Sequence, residues 1–175
     1  LLTENYETIK LEHDGPIAIV TLNRPEVLNA LSTTLFREFY HAVEAIDNDD
    51  QTAVIVVTGA GNRAFSAGAD IKELARVSDQ GLHGNERGFF EATWNHANTR
   101  KPTIGALNGL CYGGGALMAS SFDIRVGCSL TAFRFLAVTY GRINSTWNMP
   151  TVIGLPLAKE LLYTGRVVDA EEAFR

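Results

Sequence analysis

The chain has 175 residues, an apolar share of 46%, a charged share of 20% and a formal net charge of -5, which favour one soluble globular domain over residues 1–175. The acidic balance argues against nucleic acid or an anionic membrane as a partner, and no apolar run approaches the ~20 residues that span a bilayer. With no signal peptide, and with two cysteines that show neither disulfide nor metal-ligand spacing, the sequence predicts a cytoplasmic protein without a metal site.

The first third of the chain predicts a hairpin, a long helix and a buried strand. Two β-rich runs, 7–12 and 17–22, are separated by a cluster of turn residues, which is typical of a hairpin. Ser32 is placed to cap a helix whose apolar residues recur with the helical period as far as Ile46. The apolar run 54–59 ends in glycine and predicts an interior strand that is covered on both faces.

The middle of the chain predicts turns and short helices. A turn within 61–74 leads into a short helical segment, and the polar, glycine-interrupted segment 78–88 is typical of a mobile surface loop. Residues 89–99 predict a helix that Pro102 ends.

The remainder of the chain continues the alternation of strands and helices. Strands are predicted at 103–107 and 122–127, and helices at 150–164 and 169–175. Residues 133–147 show no clean period, which predicts a loop with a strand fragment. Strands that alternate with helices, with no linker between them, predict an α/β fold.

Three consecutive glycines, 113–115, precede an apolar, alanine-rich run that predicts a buried helix. Glycine allows the backbone to approach a ligand closely, and the start of a helix presents unpaired N–H groups. The pattern predicts an anion-stabilising site, although it also fits a tight turn that packs a helix against a strand. It lacks the lysine of one phosphate-binding fingerprint and the last glycine of the other, which excludes nucleotide triphosphate and dinucleotide sites.

Several short motifs occur in order along the chain. They are Asn23-Arg24-Pro25 with Leu28-Asn29-Ala30-Leu31, Phe65-Ser66-Ala67-Gly68-Ala69-Asp70-Ile71-Lys72, Lys101-Pro102, and Asn108-Gly109 with Gly113-Gly114-Gly115. In order and spacing they resemble the crotonase (enoyl-CoA hydratase/isomerase) superfamily. The resemblance implies an α/β spiral of repeated β-β-α units, here without its C-terminal helical part, that assembles into homotrimers or hexamers. It also implies an acyl-CoA thioester as substrate, with coenzyme A as part of that substrate and no permanently bound cofactor.

The resemblance also assigns the groups that would bind the thioester oxygen. In this family two backbone N–H groups bind that oxygen, and the matching positions here are Ala69 and Gly114. A thioester carbonyl gains negative charge as it becomes an enolate or a tetrahedral intermediate, so fixed donors aimed at its oxygen lower the barrier.

A further set of positions is assigned to coenzyme A by the same resemblance. The adenine would lie against the backbone of Ala67 and the side of Ile71, next to Ala69. Arg63 occupies a place where family members often carry a basic residue near the phosphates, and Lys72 could help. A solvated surface charge is the alternative for both cations.

The chain departs from the family pattern at the two glutamates that position water and move its protons in the hydratases. Leu117 stands at the first of these positions and Ala137 at the second. Neither side chain accepts or donates a proton, so we expect the usual two-glutamate hydration to be absent.

Three functions remain open at this point. The first is a lyase or isomerase that uses the oxyanion-binding amides without the glutamate pair. The second is a thioester hydrolase in which Ser145 or Asn144, in the loop Asn144-Ser145-Thr146, faces the acyl group, although these side chains could simply satisfy hydrogen bonds of the loop. The third is an inactive module that binds coenzyme A or serves assembly.

Overall fold

The computed structural model describes residues 5–73, 75, 97–141 and 145–175. The predicted loop at 78–88 and nearly all of the predicted helix at 89–99 lie outside the described residues.

The strands of the described residues form two sheets. In chain order they are β1 (Ile9–Asp14), β2 (Ile17–Leu22), β3 (Val54–Gly59), β4 (Ala64–Ser66), β5 (Thr103–Leu107), β6 (Leu110–Tyr112), β7 (Ile124–Gly127), β8 (Ala132–Arg134) and β9 (Val167–Val168). The first sheet has the order β1-β2-β3-β5-β7 and the second has the order β4-β6-β8-β9. The pairs β1–β2 and β8–β9 are antiparallel and the other pairs are parallel.

Successive strand pairs build the two sheets together. β3, β5 and β7 lie side by side in the first sheet, and the strand that follows each of them, β4, β6 and β8, lies in the second. Parallel neighbours require a crossover between repeats, and this arrangement places equivalent turns next to each other in space. The predicted spiral of β-β-α units is confirmed in the described residues.

Helices complete these units and cover the sheets. They are α1 (Thr33–Asp47), α2 (Gly114–Ser120), α3 (Met149–Ile153), α4 (Leu155–Thr164) and α5 (Ala170–Phe174), with 3-10 turns at Pro25–Val27 and Leu136–Tyr140. Residues 71–73 are also helical, as predicted. The single helix predicted over 150–164 is wrong, because Gly154 adopts φ +80° and ψ 152° and separates α3 from α4.

The main core packs α1 against the first sheet and also takes in residues of β4, β6 and α2. α1 buries one apolar stripe, namely Leu35, Phe36, Phe39, Ala42, Val43 and Ile46. Removal of such side chains from water is the main stabilising contribution to the fold, at roughly 25 cal/mol per Å² of apolar surface. None of the described helices combines the length and the hydropathy of a membrane-spanning segment.

Replacing Ser32 by alanine tests the predicted start of α1. The Ser32 hydroxyl accepts a hydrogen bond from the Leu35 amide at 3.2 Å, which satisfies one of the N–H groups that a helix start leaves unpaired. We expect Ser32→Ala to lower the free energy of unfolding by about 1 kcal/mol in urea denaturation. Ser32→Asp keeps an acceptor oxygen and should remain close to the unsubstituted chain, whereas equal stability of the serine and alanine forms would contradict the cap.

Candidate functional site

The turn that carries Ala69 is held by hydrogen bonds on both sides of that residue. The Leu31 amide donates to Gly68 O at 2.8 Å, and the Asp70 amide donates to Leu31 O at 3.0 Å. Because the backbone groups of an extended chain alternate in direction, the Ala69 N–H points away from Leu31. No described residue accepts a hydrogen bond from it.

The turn that carries Gly114 ends in the first residue of α2. Gly113 lies in the left-handed region at φ +52°, and its amide donates to Arg134 O at 2.8 Å. The amides of the first turn of a helix have no acceptor within the helix. Over the described ranges nothing accepts a hydrogen bond from the Gly114 N–H.

The two turns touch through bare backbone. A Cβ atom on Gly68, which has φ +91°, would lie 2.9 Å from Gly114 N and 2.6 Å from Tyr112 O. A Cβ atom on Gly115 would lie 2.3 Å from Ser66 O. Any side chain at these positions would therefore push the Ala69 turn away from α2.

An ion pair between Arg24 and Asp70 holds the residue that follows Ala69 in the turn. Arg24 Nη1 donates to Asp70 Oδ2 at 3.0 Å and to Ala30 O at 2.8 Å, and both charged side chains are largely buried. Asp70 Oδ1 accepts from the amides of Lys72 and Glu73. Partial burial raises the pKa of the Asp70 carboxyl, but the hydrogen bond from Arg24 and the backbone N–H groups outweigh it and hold that pKa below its ordinary value.

A buried asparagine supports the turn from inside. Asn29 is fully buried and its Nδ2 donates to Ala60 O and Ala64 O, each at 3.0 Å. Its backbone oxygen accepts the Ser66 hydroxyl at 2.8 Å, and that hydroxyl in turn accepts the Gly68 amide. The positioning roles of Arg24, Asn29 and Ser66 were not predicted from the sequence. All three belong to the motifs that carry the resemblance, and this is the signal that could have identified them.

The positions assigned to coenzyme A lie on and beside the Ala69 turn. Ile71 is 65% exposed although it is apolar, and Lys72 beside it is also exposed. Ala67 is half-buried and donates its amide to Leu28 O, while Arg63 is exposed and donates to Pro25 O at 3.3 Å. Within the described ranges no group of His, Cys, Asp and Glu side chains could hold a metal ion.

Leu117 and Ala137 are the residues predicted from the sequence to stand at the two glutamate positions of the family. Leu117 is fully buried on α2, one helical turn beyond Gly114. Ala137 is half-buried in the 3-10 turn Leu136–Tyr140, and a Cβ atom on Gly113 would lie 3.9 Å from Leu136 Cβ. Leu117 is thus buried on the helix that begins at Gly114, and Ala137 follows a residue that lies close to Gly113.

The loop proposed to face the acyl group is described in part. Asn144 lies outside the described residues. Ser145 is 1% exposed and has φ +56°, a left-handed conformation that is uncommon for a residue other than glycine. Its backbone oxygen accepts the Met149 amide at 3.1 Å. A nucleophilic role for Ser145 would require the thioester to reach a buried hydroxyl.

The family model described as enoyl-CoA hydratase/isomerase matches residues 12–175. The chain belongs to this family. It is 38% identical to a probable enoyl-CoA hydratase of Rhizobium meliloti, over 98% of this chain and 66% of that protein. It is 34% identical to a short-chain-enoyl-CoA hydratase of Clostridium acetobutylicum, over 94% of this chain and 64% of that protein.

A solved structure extends the comparison to the fold. The crystal structure of an enoyl-CoA hydratase from Bacillus anthracis matches with a TM-score of 0.91 at 30% identity, covering 95% of this chain and 66% of that chain. The family and the α/β crotonase fold predicted from the sequence are confirmed. The chain spans about two thirds of the length of these relatives.

Acid titration tests the Arg24–Asp70 pair in this member of the family. A carboxyl whose pKa is lowered on folding stabilises the protein above its unfolded-state pKa of about 4, and this contribution is lost as the pH falls through the folded-state pKa. We expect Arg24→Met to lower the free energy of unfolding by about 1 kcal/mol at pH 7, and the difference from the unsubstituted chain to shrink as the pH falls through the folded-state pKa of Asp70, leaving only the loss of the hydrogen bond to Ala30 O. Urea denaturation from pH 7 to pH 3 measures this, and a difference that is independent of pH would contradict it.

Proposed function

We propose that this chain binds an acyl-CoA thioester and stabilises an enolate or an oxyanion with the N–H groups of Ala69 and Gly114. The observation that carries the proposal is the contact between the two turns, which places two amides without described acceptors on abutting backbone segments. Backbone donors fixed before the reaction need no reorganisation when charge develops on the oxygen, and one such donor is worth on the order of 3 kcal/mol.

Residues around the Ala69 turn suit the coenzyme A part of the substrate. The exposed apolar side chain of Ile71 offers a surface for the adenine ring beside the backbone of Ala67. Arg63 and Lys72 are exposed cations, and we assign the phosphates of coenzyme A to them. Coenzyme A then enters as part of the substrate, and the proposal includes no permanently bound cofactor.

The reaction we propose is a lyase or isomerase step other than two-glutamate hydration. Leu117 and Ala137 supply no acid or base at the positions where the hydratases carry their glutamates. Thioester hydrolysis by the loop that contains Asn144 and Ser145 is a second candidate, and a module that binds coenzyme A without turnover is a third. The relatives named as enoyl-CoA hydratases support an acyl-CoA substrate for this chain.

The proposal also includes the domain organisation, location and oligomeric state of the protein. We expect a single core domain over 1–175 that works in the cytoplasm as a homotrimer or hexamer. Apolar side chains that remain exposed on β7, Ile124 at 53% and Val126 at 59%, are consistent with burial against further protein.

The oxyanion proposal predicts that binding polarises the thioester carbonyl. Isotope-edited infrared spectroscopy of butyryl-CoA carrying ¹³C at the carbonyl should show the carbonyl band move to lower frequency on binding, because two N–H groups donate to its oxygen. Ala69→Pro removes one donor and should reverse much of this shift. Ala69→Gly keeps the N–H and serves as the matched control, with folding of both variants checked by urea denaturation.

The outcomes separate the candidate functions. Binding without a carbonyl shift would overturn the oxyanion proposal and favour a module that recognises coenzyme A alone. Failure to bind any acyl-CoA would overturn the proposal as a whole.

The missing glutamates predict that crotonyl-CoA is bound but not hydrated. Loss of the enoyl thioester absorbance should stay at the uncatalysed rate in the unsubstituted chain. Installing both carboxylates with Leu117→Glu and Ala137→Glu should raise hydration by about 10²-fold or more, since general acid–base catalysis contributes 10²–10⁴-fold. Each single variant is the control and should remain near the background. Fast hydration by the unsubstituted chain would contradict the predicted loss of the pair.

A further inference from the structure

The turn between β3 and β4, residues 60–63, carries Arg63 and is called here the Arg63 turn. Its tip, residues 61–63, is exposed. Gly61 lies in the left-handed region at φ +83°, and a Cβ atom on it would lie 3.3 Å from Pro25 Cβ. An exposed tip that begins with glycine buries little apolar surface, so its conformation depends on hydrogen bonds.

The side chain of Asn108 supplies hydrogen bonds to this turn. Its Nδ2 donates to Gly59 O at 2.8 Å and to Gly61 O at 2.9 Å, and its Oδ1 accepts the Gly59 amide at 3.2 Å. Asn108 directly follows β5, the parallel neighbour of β3, and is half-buried. One carboxamide therefore ties the end of β3 and the tip of the Arg63 turn to the next repeat.

Other contacts hold the two ends of the Arg63 turn but not its tip. At the first end, the amide and the carbonyl of Ala60 are both hydrogen-bonded. At the other end, Arg63 O accepts the Leu110 amide at 3.1 Å. Between them, residues 61–62 form one hydrogen bond in the described part of the chain, the one from Asn108. The Asn108 side chain is thus the polar contact that fixes the tip.

The tip also adjoins the surface on which the Arg63 side chain rests. Arg63 Nη2 donates to Pro25 O at 3.3 Å, and Gly61 lies against the same proline. Among the described residues no carboxylate forms an ion pair with Arg63. A guanidinium in this setting suits a phosphate, which would supply the missing negative charge.

We propose that Asn108 is a positioning residue for recognition of the coenzyme A phosphates and that it acts through Arg63. The inference rests on the proposed function, in which Arg63 meets those phosphates. A long cationic side chain on a turn with a single conformation has less freedom to lose when it binds an anion than one on a mobile turn. Asn108 therefore raises the affinity for the substrate without touching it.

The test compares butyryl-CoA with butyryl-pantetheine, which keeps the thioester and lacks the nucleotide and its phosphates, by calorimetry. Arg63→Met should weaken butyryl-CoA about tenfold, the size of a lost hydrogen bond between charged groups. Asn108→Ala should weaken it about fivefold, which corresponds to ordering one long side chain. Both variants should bind butyryl-pantetheine as the unsubstituted chain does. Added to Arg63→Met, Asn108→Ala should have no further effect, because the two residues act as a unit.

A second variant disturbs the tip and leaves Asn108 in place. Gly61→Ala puts a side chain at φ +83°, where alanine is strained, and should give the same selective loss of affinity for butyryl-CoA. Asn48→Ala is the matched control, because it removes an asparagine hydrogen bond to Glu44 O at the end of α1. It should leave both affinities unchanged. Urea denaturation checks the folding of every variant.

The outcomes distinguish this inference from the proposed function. If the unsubstituted chain binds neither thioester, the proposed function fails. If Arg63→Met leaves the affinity for butyryl-CoA unchanged, the assignment of Arg63 to the phosphates fails, and the inference fails with it. If Arg63→Met weakens butyryl-CoA selectively but Asn108→Ala does not, or weakens both thioesters equally, Asn108 is merely structural. Additive losses in the double variant would also overturn the inference.

Discussion

The contact of two glycine turns without side chains between them is the constraint on which the candidate site depends. Gly68 approaches Gly114 so closely that a Cβ atom would lie 2.9 Å from its nitrogen, and Gly115 rests on the backbone of Ser66. Overlap of this kind is not relieved by rotating a side chain, because the opposing atoms belong to the main chain. The positions of the Ala69 and Gly114 amides are consequently set by the fold and not by any mobile side chain.

The spiral explains why these two turns meet. β4 and β6 are parallel neighbours in the second sheet, and the Ala69 and Gly114 turns directly follow them. The pairing of β4 with β6 shifts register between Ala64 and Ser66, just before the two strands lead into their turns. Arg24 and Asn29 belong to an earlier repeat and form hydrogen bonds with Asp70 and Ser66 of the Ala69 turn. The position of the Ala69 amide therefore depends on that earlier segment, on its own turn and on the glycine turn at Gly114. A buried network of polar groups is stabilising only when its members have hydrogen-bond partners. The side chains of Asn29 and Asp70 both have such partners.

The sequence predicts elements whose signals are local and misses those set by distant contacts. The cap at Ser32 and the interior position of β3 follow from residue type and period alone, and both agree with the structure, although the residues of β3 alternate between buried and half-buried. The break between α3 and α4 at Gly154 was not predicted, because a single glycine within an apolar run is compatible with both a continuous helix and a turn. Strands of three residues such as β6 are too short to show alternation. The link from Asn148 to Ser120 spans 28 residues, and no pattern along the chain indicates it.

Apolar side chains at Leu117 and Ala137 limit the chemistry of the proposed oxyanion site. Hydration of an enoyl thioester needs one group to take a proton from water and another to protonate carbon, and Leu117 and Ala137 do neither. In the proposed function, stabilising charge on the thioester oxygen needs only the amides of Ala69 and Gly114. The Asn148 amide donates to the hydroxyls of Ser120 and Ser121, and both hydroxyls donate to Leu117 O, so these polar groups already have partners within the protein. On these grounds the proposed reaction is one in which charge on the oxygen is the principal barrier, and proton transfer falls to the substrate, to water or to side chains other than these.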